Sequence, residues 1–366
     1  MRRLIVLVIV LLALGVHVLS AQEGDGSESP DLFSGERALE HAANHVGVGP
    51  RPVATINSYR AGDLILSYLG DLGWETSEDW HLIDFGPTAE LSEAARQTIE
   101  DWQPINLGTA IDDTLAGLAG DVGDRFAPAF DSLVIPVRNL VASYGDGPTI
   151  IIGAHYDSRI YSDQDGDPAR RTEPMPGAND GGSGVGVLLE LARVISENYD
   201  SNAEIRLVFF DAEDNGRIEP FPQLSNGFAN GYLVGSTLYA NSLNLNEETI
   251  QYMLLVDMVG DMEQRFPIEG YSAQYAPDIA NAIWSVAADL GYGEQFPQEV
   301  RSPVVDDHVP FLQRSIPAVD VIDLDYPYWH TSQDTLDNVS AESLERVGRV
   351  LIAYLEQSGV LIPKAD

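Results

Sequence analysis

Apolar and polar positions follow two different periods along this chain, and the change from one to the other organises it. Residues 35–46 and 55–72 carry apolar side chains three and four apart, the spacing of helices with one buried face, and Gly73 supplies a C-terminal stop. Residues 74–85 and 133–143 read as strands, the second alternating as a half-buried one. From residue 148 onward, short apolar runs take turns with helical patterns. Strands are predicted at 149–155, 204–210, 250–257 and 316–323, and helices at 183–197, 231–243, 275–290 and 341–358. This alternation specifies an α/β protein whose mostly parallel sheet is covered on both faces. No internal repeat is visible. One domain spanning 32–366 is expected, interrupted at about 86–131 by a segment with helical patches and several Gly and Pro residues. That segment reads as a surface insertion or as a lid.

Polar residues gather where the predicted strands end. GAHYDS (153–158) closes the strand at 149–155, and its His155 and Asp157, two apart, share a face. PGANDGGSGV (176–185) puts Asp180 in a Gly-rich turn at the start of a helix, where a carboxylate is favoured. VFFDAED (208–214) ends the next strand with Glu213 and Asp214, a pair suited to one general base and one metal ligand. Asp257 ends a third strand, and YWHTSQDT (328–335) supplies His330. In open α/β sheets, ligands bind outside the carboxyl ends of the strands, where all of these fall.

Zinc at a catalytic site takes His and carboxylate ligands and keeps one position open. The candidates are Asp180, Asp214 and His330, with His155 and Asp257 nearby if a second ion binds. Taken singly, each has a plainer reading: histidines at strand ends are usually hydrogen-bonded structural residues, and acids in turns are usually caps or solvated. The ordered set of strand-end motifs is what points to a metal. Asp157 is expected to orient His155, since ligating histidines usually donate their other N–H to a carboxylate. His308, in DDHVPFL just before an apolar strand, has a supporting role in preference to ligation. Cysteine chemistry is excluded, as the chain has no Cys. No Gly-x-Ser-x-Gly elbow and no phosphate loop occurs, and Ser183 sits in a turn already claimed by Asp180.

The chain has 366 residues, 44% hydrophobic and 21% charged, enough to bury a large core. Its net charge of −37 comes from scattered acids and argues against nucleic-acid binding, which needs a basic face. Residues 1–21 read as a signal peptide: Arg2 and Arg3, the apolar run 4–14, then small residues at Ser20 and Ala21. Residues 22–31 read as an acidic linker. An exported protein with no stable membrane span after cleavage is expected; an uncleaved anchor is the alternative, though the apolar run is short for a span. Without cysteines, neither a lipid attachment nor a disulfide is available.

Together these motifs resemble metallopeptidase family 28, the zinc aminopeptidase-like family that includes the animal and bacterial glutaminyl cyclases. The resemblance runs from about residue 46 to the C-terminus, apart from 86–131. It implies a three-layer α/β/α zinc-exopeptidase-like fold and a substrate that is the N-terminus of a peptide or protein. In the aminopeptidases, Asp180 would bridge two zinc ions. His155 and Asp257 would complete one site, Asp214 and His330 the other, with Glu213 as general base. In the cyclases, one zinc would be held by Asp180, Asp214 and His330. Trp329, directly before His330, matches the tryptophan that walls the cyclase substrate pocket. Asp306 matches a cyclase acid that hydrogen-bonds in the active site. Residues 155–180 are similar to bacterial cyclases throughout, and the loop 215–230 is long for a peptidase. Animal cyclases carry a Trp soon after the acid pair, where this chain has only Phe221 and Phe228. The resemblance thus implies a glutaminyl-peptide cyclotransferase, converting N-terminal Gln to pyroglutamate with release of ammonia. Glu213, Asp257 and Asp306 would be its catalytic acids, with Glu213 raised in pKa by burial and by the other two. The alternative is an aminopeptidase that cleaves the first peptide bond. A third reading, a non-catalytic binding module, would be marked by loss of the base or a ligand, and neither is lost.

Overall fold

The structure, a computed structural model, describes residues 32–105, 132–221 and 231–365. The expected signal peptide and linker lie outside the described residues, as do residues 106–131 of the inserted segment and Phe228.

Two capped helices begin the described chain. In α1 (Gly35–Val46) the Ser34 hydroxyl accepts from the Arg37 N–H, and in α2 (Ile56–Asp71) Thr55 does the same for Ser58. There follow β1 (Glu75–Pro87), α3 (Glu93–Trp102), β2 (Ser132–Tyr144) and β3 (Thr149–His155). Next come α4 (Gly182–Asn198), β4 (Tyr199–Ser201), β5 (Glu204–Phe210), α5 (Val234–Ser242) and β6 (Ile250–Asp257). The last are α6 (Gly270–Tyr275), α7 (Pro277–Asp289), α8 (Val309–Gln313), β7 (Ala318–Ile322), α9 (Ala341–Gln357) and β8 (Leu361–Pro363). The long elements fall within a few residues of their predicted bounds. Among the described residues, no helix is long and apolar enough to cross a membrane.

Six strands form the main sheet in the order β1-β2-β5-β3-β6-β7. β5, β3, β6 and β7 are parallel, and β1 and β2 add an antiparallel edge. β3 shows why its sequence runs apolar without alternation: both of its faces are covered. Ile150, Ile152 and Ala154 pack with Val185, Leu188 and Leu191 of α4 and with Leu344, Val347 and Leu351 of α9. Ile151, on the opposite face, meets Phe210, Tyr239, Met253 and Phe311. Each such side chain contributes roughly 1.5–3 kcal/mol by leaving water. A small ribbon of β4 and β8 ties the C-terminus to the end of α4.

One expectation is corrected. β2 is not half-buried: residues 132–142 are buried throughout. The polar residues that suggested a wet face are satisfied inside. Arg138 pairs with Asp63 at 2.8 Å and Glu78 at 2.5 Å, and Asn139 donates to Asp79 and to the Gly235 carbonyl. The described part of the inserted segment packs on this edge. Leu91, Ala95 and Trp102 join Phe85, Ile135, Val137, Ile160 and Phe221 in a separate apolar cluster.

Candidate metal centre

Because β5, β3, β6 and β7 run parallel, their carboxyl ends open on one edge, and the loops there carry the polar motifs. His155 is the last residue of β3 and Asp257 the last of β6. Glu213 and Asp214 follow β5, and His330 follows β7. Asp180 sits in the turn before α4. That turn requires glycine at position 181, where φ is +85° and a Cβ would come within 2.9 Å of the His155 ring.

Two groups of possible ligand atoms result, each with its members within 4.8 Å: Asp180, Asp214 and His330, and His155, Asp180 and Asp257. Asp180 belongs to both. His330 Nε2 is 3.2 Å from Asp214 Oδ2 and 3.6 Å from Asp180 Oδ2. His155 Nε2 is 3.1 Å from Asp180 Oδ1 and 3.2 Å from Asp257 Oδ1. Asp180 Oδ2 and Asp214 Oδ2 are buried yet make no hydrogen bond. Buried carboxylate oxygens facing an imidazole nitrogen, with no donor of their own, are the donor set a divalent ion fits.

The backbone is under tension where the site is built. Ala212, before Glu213, Met258, after Asp257, and His330 itself all have left-handed φ, at 56°, 47° and 57°. Non-glycine residues adopt this region at a cost, and such residues gather at functional sites.

Burial pushes Glu213 well above the usual carboxylate range, and Asp214, Asp307 and Asp306 add to it. His155 Nδ1 lies 3.9 Å from Glu213 Oε2. Burial also opposes ionisation of Asp214, but Arg159 and His330 outweigh it and hold its carboxyl at about 2. Burial and then Asp257 raise Asp306, a buried residue whose Oδ1 accepts from the Asp307 N–H at 2.6 Å. Of the two acids expected from the sequence to raise Glu213, Asp306 is among those that do, while Asp214 and Asp307 stand where Asp257 was expected.

Asp157 does more than orient His155, whose Nδ1 is 3.5 Å away. Its two oxygens accept from the backbone N–H groups of Glu213 and Asp214 at 3.1 and 3.2 Å, fixing the acid pair against β3. His308 is fully buried, 3.3 Å from Glu269 Oε2 and 3.7 Å from Asp320 Oδ2, and lies in neither ligand group. It does not directly precede a strand as expected, since α8 intervenes before β7. Ser183 donates to the Asn179 carbonyl and accepts from Val259 N–H, a structural arrangement. Trp329 is 39% exposed and stacks on His330, ring centroids 3.8 Å apart.

Three residues at the site escaped the sequence reading. Arg159 Nη1 donates to Asp214 Oδ1 at 2.5 Å. Asp334 accepts from the N–H groups of Asn179 and Asp180 and from the Tyr326 hydroxyl, holding the Asp180 turn. Arg51, fully buried, donates to the carbonyls of Tyr156, Pro176 and Gly177 and so joins the same turn to β3. Arg159 and Asp334 had one weak signal, their places two residues after Asp157 and four residues after His330.

The profile of peptidase family M28 matches residues 139–355. The chain is similar to the glutaminyl-peptide cyclotransferase of Boiga irregularis, with 24% identity over 306 residues, 77% of this chain and 79% of that one. It is also similar to the crystal structure of Porphyromonas gingivalis glutaminyl cyclase, with 30% identity and a TM-score of 0.70 over 89% of this chain and 99% of that one. A Zn-dependent exopeptidase from Parabacteroides distasonis has 29% identity and a TM-score of 0.69, over 87% of this chain and 97% of that one.

Proposed function

Since this chain belongs to peptidase family M28, we propose that it is a zinc-dependent glutaminyl-peptide cyclotransferase that converts N-terminal Gln of peptides to pyroglutamate. Its fold is the zinc-exopeptidase-like α/β/α arrangement. The observation that carries the reading is Trp329, stacked on His330 and 39% exposed: an apolar wall set directly on a ligand candidate.

Asp180, Asp214 and His330 would hold one zinc. Bound there, the ion would supply Lewis-acid polarisation of the Gln side-chain amide carbonyl. The remaining work falls to side chains. The peptide's own α-amine attacks that carbonyl carbon, and Glu213 takes the amine proton and passes it to the leaving ammonia. A base that accepts and then returns a proton near neutral pH needs a pKa above the ordinary carboxylate range, as burial and its acidic neighbours give Glu213. Asp257 and Asp306 form the acidic wall beside it, and Asp157 fixes its backbone. Trp329 packs on the Gln side chain and keeps water from competing with the amine.

A second reading, aminopeptidase, is favoured by one observation: His155, Asp180 and Asp257 are present as a second ligand group. Two ions would then be held, and Glu213 would activate water against the first peptide bond. Incubation with Gln-peptides and Leu-peptides, with the zinc counted, separates the two. Ammonia from Gln-peptides with one zinc supports the cyclase; free Leu with two zinc ions and no cyclised product would overturn it. We further assign residues 32–366 to one catalytic domain and 1–21 to a signal peptide that exports it. Mass spectrometry of the mature protein tests that assignment, with Gln22, free or as pyroglutamate, expected as the first residue.

A further inference from the structure

Among the ligand candidates, Asp214 already has a cation on it. Arg159 Nη1 donates to Asp214 Oδ1 at 2.5 Å, and both side chains are 3% exposed. The guanidinium is clamped from its other edge: Nε and Nη2 donate to the two oxygens of Asp163, each at 2.8 Å. Tyr232 covers it, with its ring centroid 5.6 Å from the guanidinium carbon and its hydroxyl 3.3 Å from Nη2. Gly216, at φ +76°, leaves the space it needs, since a Cβ there would come within 2.8 Å of Nη2. Asp214 Oδ2, by contrast, is buried, has no hydrogen bond and faces His330 Nε2.

We propose that Arg159 is a positioning residue that restricts Asp214 to single-oxygen ligation of the zinc, keeping one coordination position for substrate. This rests on the assignment of the metal to Asp180, Asp214 and His330. A carboxylate can bind a metal through one oxygen or two. With one oxygen from Asp214, the protein supplies three ligands, the number at catalytic zinc sites that leave a position open. With both, the protein would supply four donor atoms, and water or the Gln carbonyl would have to enter as a fifth ligand. Arg159 settles the choice by occupying Oδ1 in a charge-assisted bond, and Asp163 keeps it from swinging away. Charge alone would not do this. A lysine ammonium lacks the planar fork that spans Asp163 and Asp214 together.

The test uses the full-length protein loaded with cobalt(II) in place of zinc, because four-coordinate cobalt absorbs visible light far more strongly than five- or six-coordinate cobalt. Wild-type protein, Arg159→Gln and Asp163→Asn are compared at one cobalt per chain, with circular dichroism to establish folding. The expected result is a strong four-coordinate spectrum in the wild type, loss of most of that absorbance in Arg159→Gln, and a smaller loss in Asp163→Asn. Arg159→Lys should not restore it. If Arg159→Gln fails to fold, Asp163→Asn decides alone, since Asp163 is at the surface. Unchanged spectra in folded, loaded variants overturn the inference. So do folded variants that take up no cobalt, because Arg159 would then govern whether Asp214 binds and not how. A wild type that takes up no cobalt overturns the metal assignment and the inference with it.

Discussion

The two ligand groups that share Asp180 sit in unlike surroundings. Asp214 is met by a guanidinium, and it stays ionised because Arg159 and His330 offset its burial. His155 and Asp257 are ringed by acids. Burial alone would lower the His155 pKa, but Asp257, Asp157 and Asp180 drive it well up. On one side Asp214 has an oxygen with no hydrogen bond; on the other the His155 ring already meets Asp257, 3.2 Å away. Retaining a complete set of residues for two ions therefore does not amount to needing two.

The largest expected effect breaks this comparison outright. His330→Ala should reduce both bound zinc and activity to background, whereas His155→Ala should keep about one zinc per chain, since it removes no ligand of the Asp180–Asp214–His330 group. Metal analysis by mass spectrometry checks both, and zinc retained in the first or lost in the second would reverse the assignment. Next in size, Glu213→Gln should lower kcat by about 10²–10⁴-fold with zinc content unchanged, because it removes a base and no ligand. Loss of zinc in that variant would make Glu213 a ligand instead. Trp329→Ala should lower kcat/KM for Gln-peptides by about tenfold, the order expected for an aromatic contact worth ~1.4 kcal/mol, and change any Leu-peptide cleavage less. Equal effects on both substrates would remove Trp329 from the Gln pocket.

The smallest effect sharpens the electrostatic side. Glu213 is raised in the folded state by burial, Asp214, Asp307 and Asp306. Its contribution to stability is therefore complete below its unfolded pKa of about 4.3 and is lost as pH rises towards its folded value. In chelator-treated protein, Glu213→Gln should accordingly melt a few degrees above wild type at pH 8, on the order of 1 kcal/mol, and level with it at pH 4. Calorimetry at the two pH values checks the sign. A variant that is less stable at pH 8 would mean that the carboxylate is held by favourable contacts.

The parts of the molecule that were legible in sequence share a cause. β3, β5 and β6 are buried on both faces, so their apolar runs are continuous and stop abruptly at charged residues, which marks the strand end and the site residue together. The parts that were not legible depend on contacts distant in sequence. Arg159 reaches Asp214, 55 positions on, and Asp334 reaches back 155 positions to Asn179, and neither has any periodic signature. Arg138 and Asn139 made β2 look half-wet because their partners, on α2, β1 and the first turn of α5, are invisible locally. Asp320, between Val319 and Val321, reads as a solvent-facing position but is fully buried beside His308. Polar residues inside a core defeat pattern reading because periodicity reports burial only when polarity and exposure agree.

The stacked pair of Trp329 and His330 also gives the protein an optical property. Of its tryptophans, Trp74, Trp102 and Trp284 are buried, while Trp329 is 39% exposed. Buried indoles emit towards the blue and a wet one towards the red; Trp80 is half-buried, so Trp329, the most exposed of the five, weights the long-wavelength edge of the emission. An imidazole against its face makes that edge sensitive to the charge on His330. Any molecule that displaces water from the ring therefore changes the fluorescence of the unlabelled protein, whether or not it is turned over. Inhibitors could be titrated on an inactive Glu213→Gln protein by light alone.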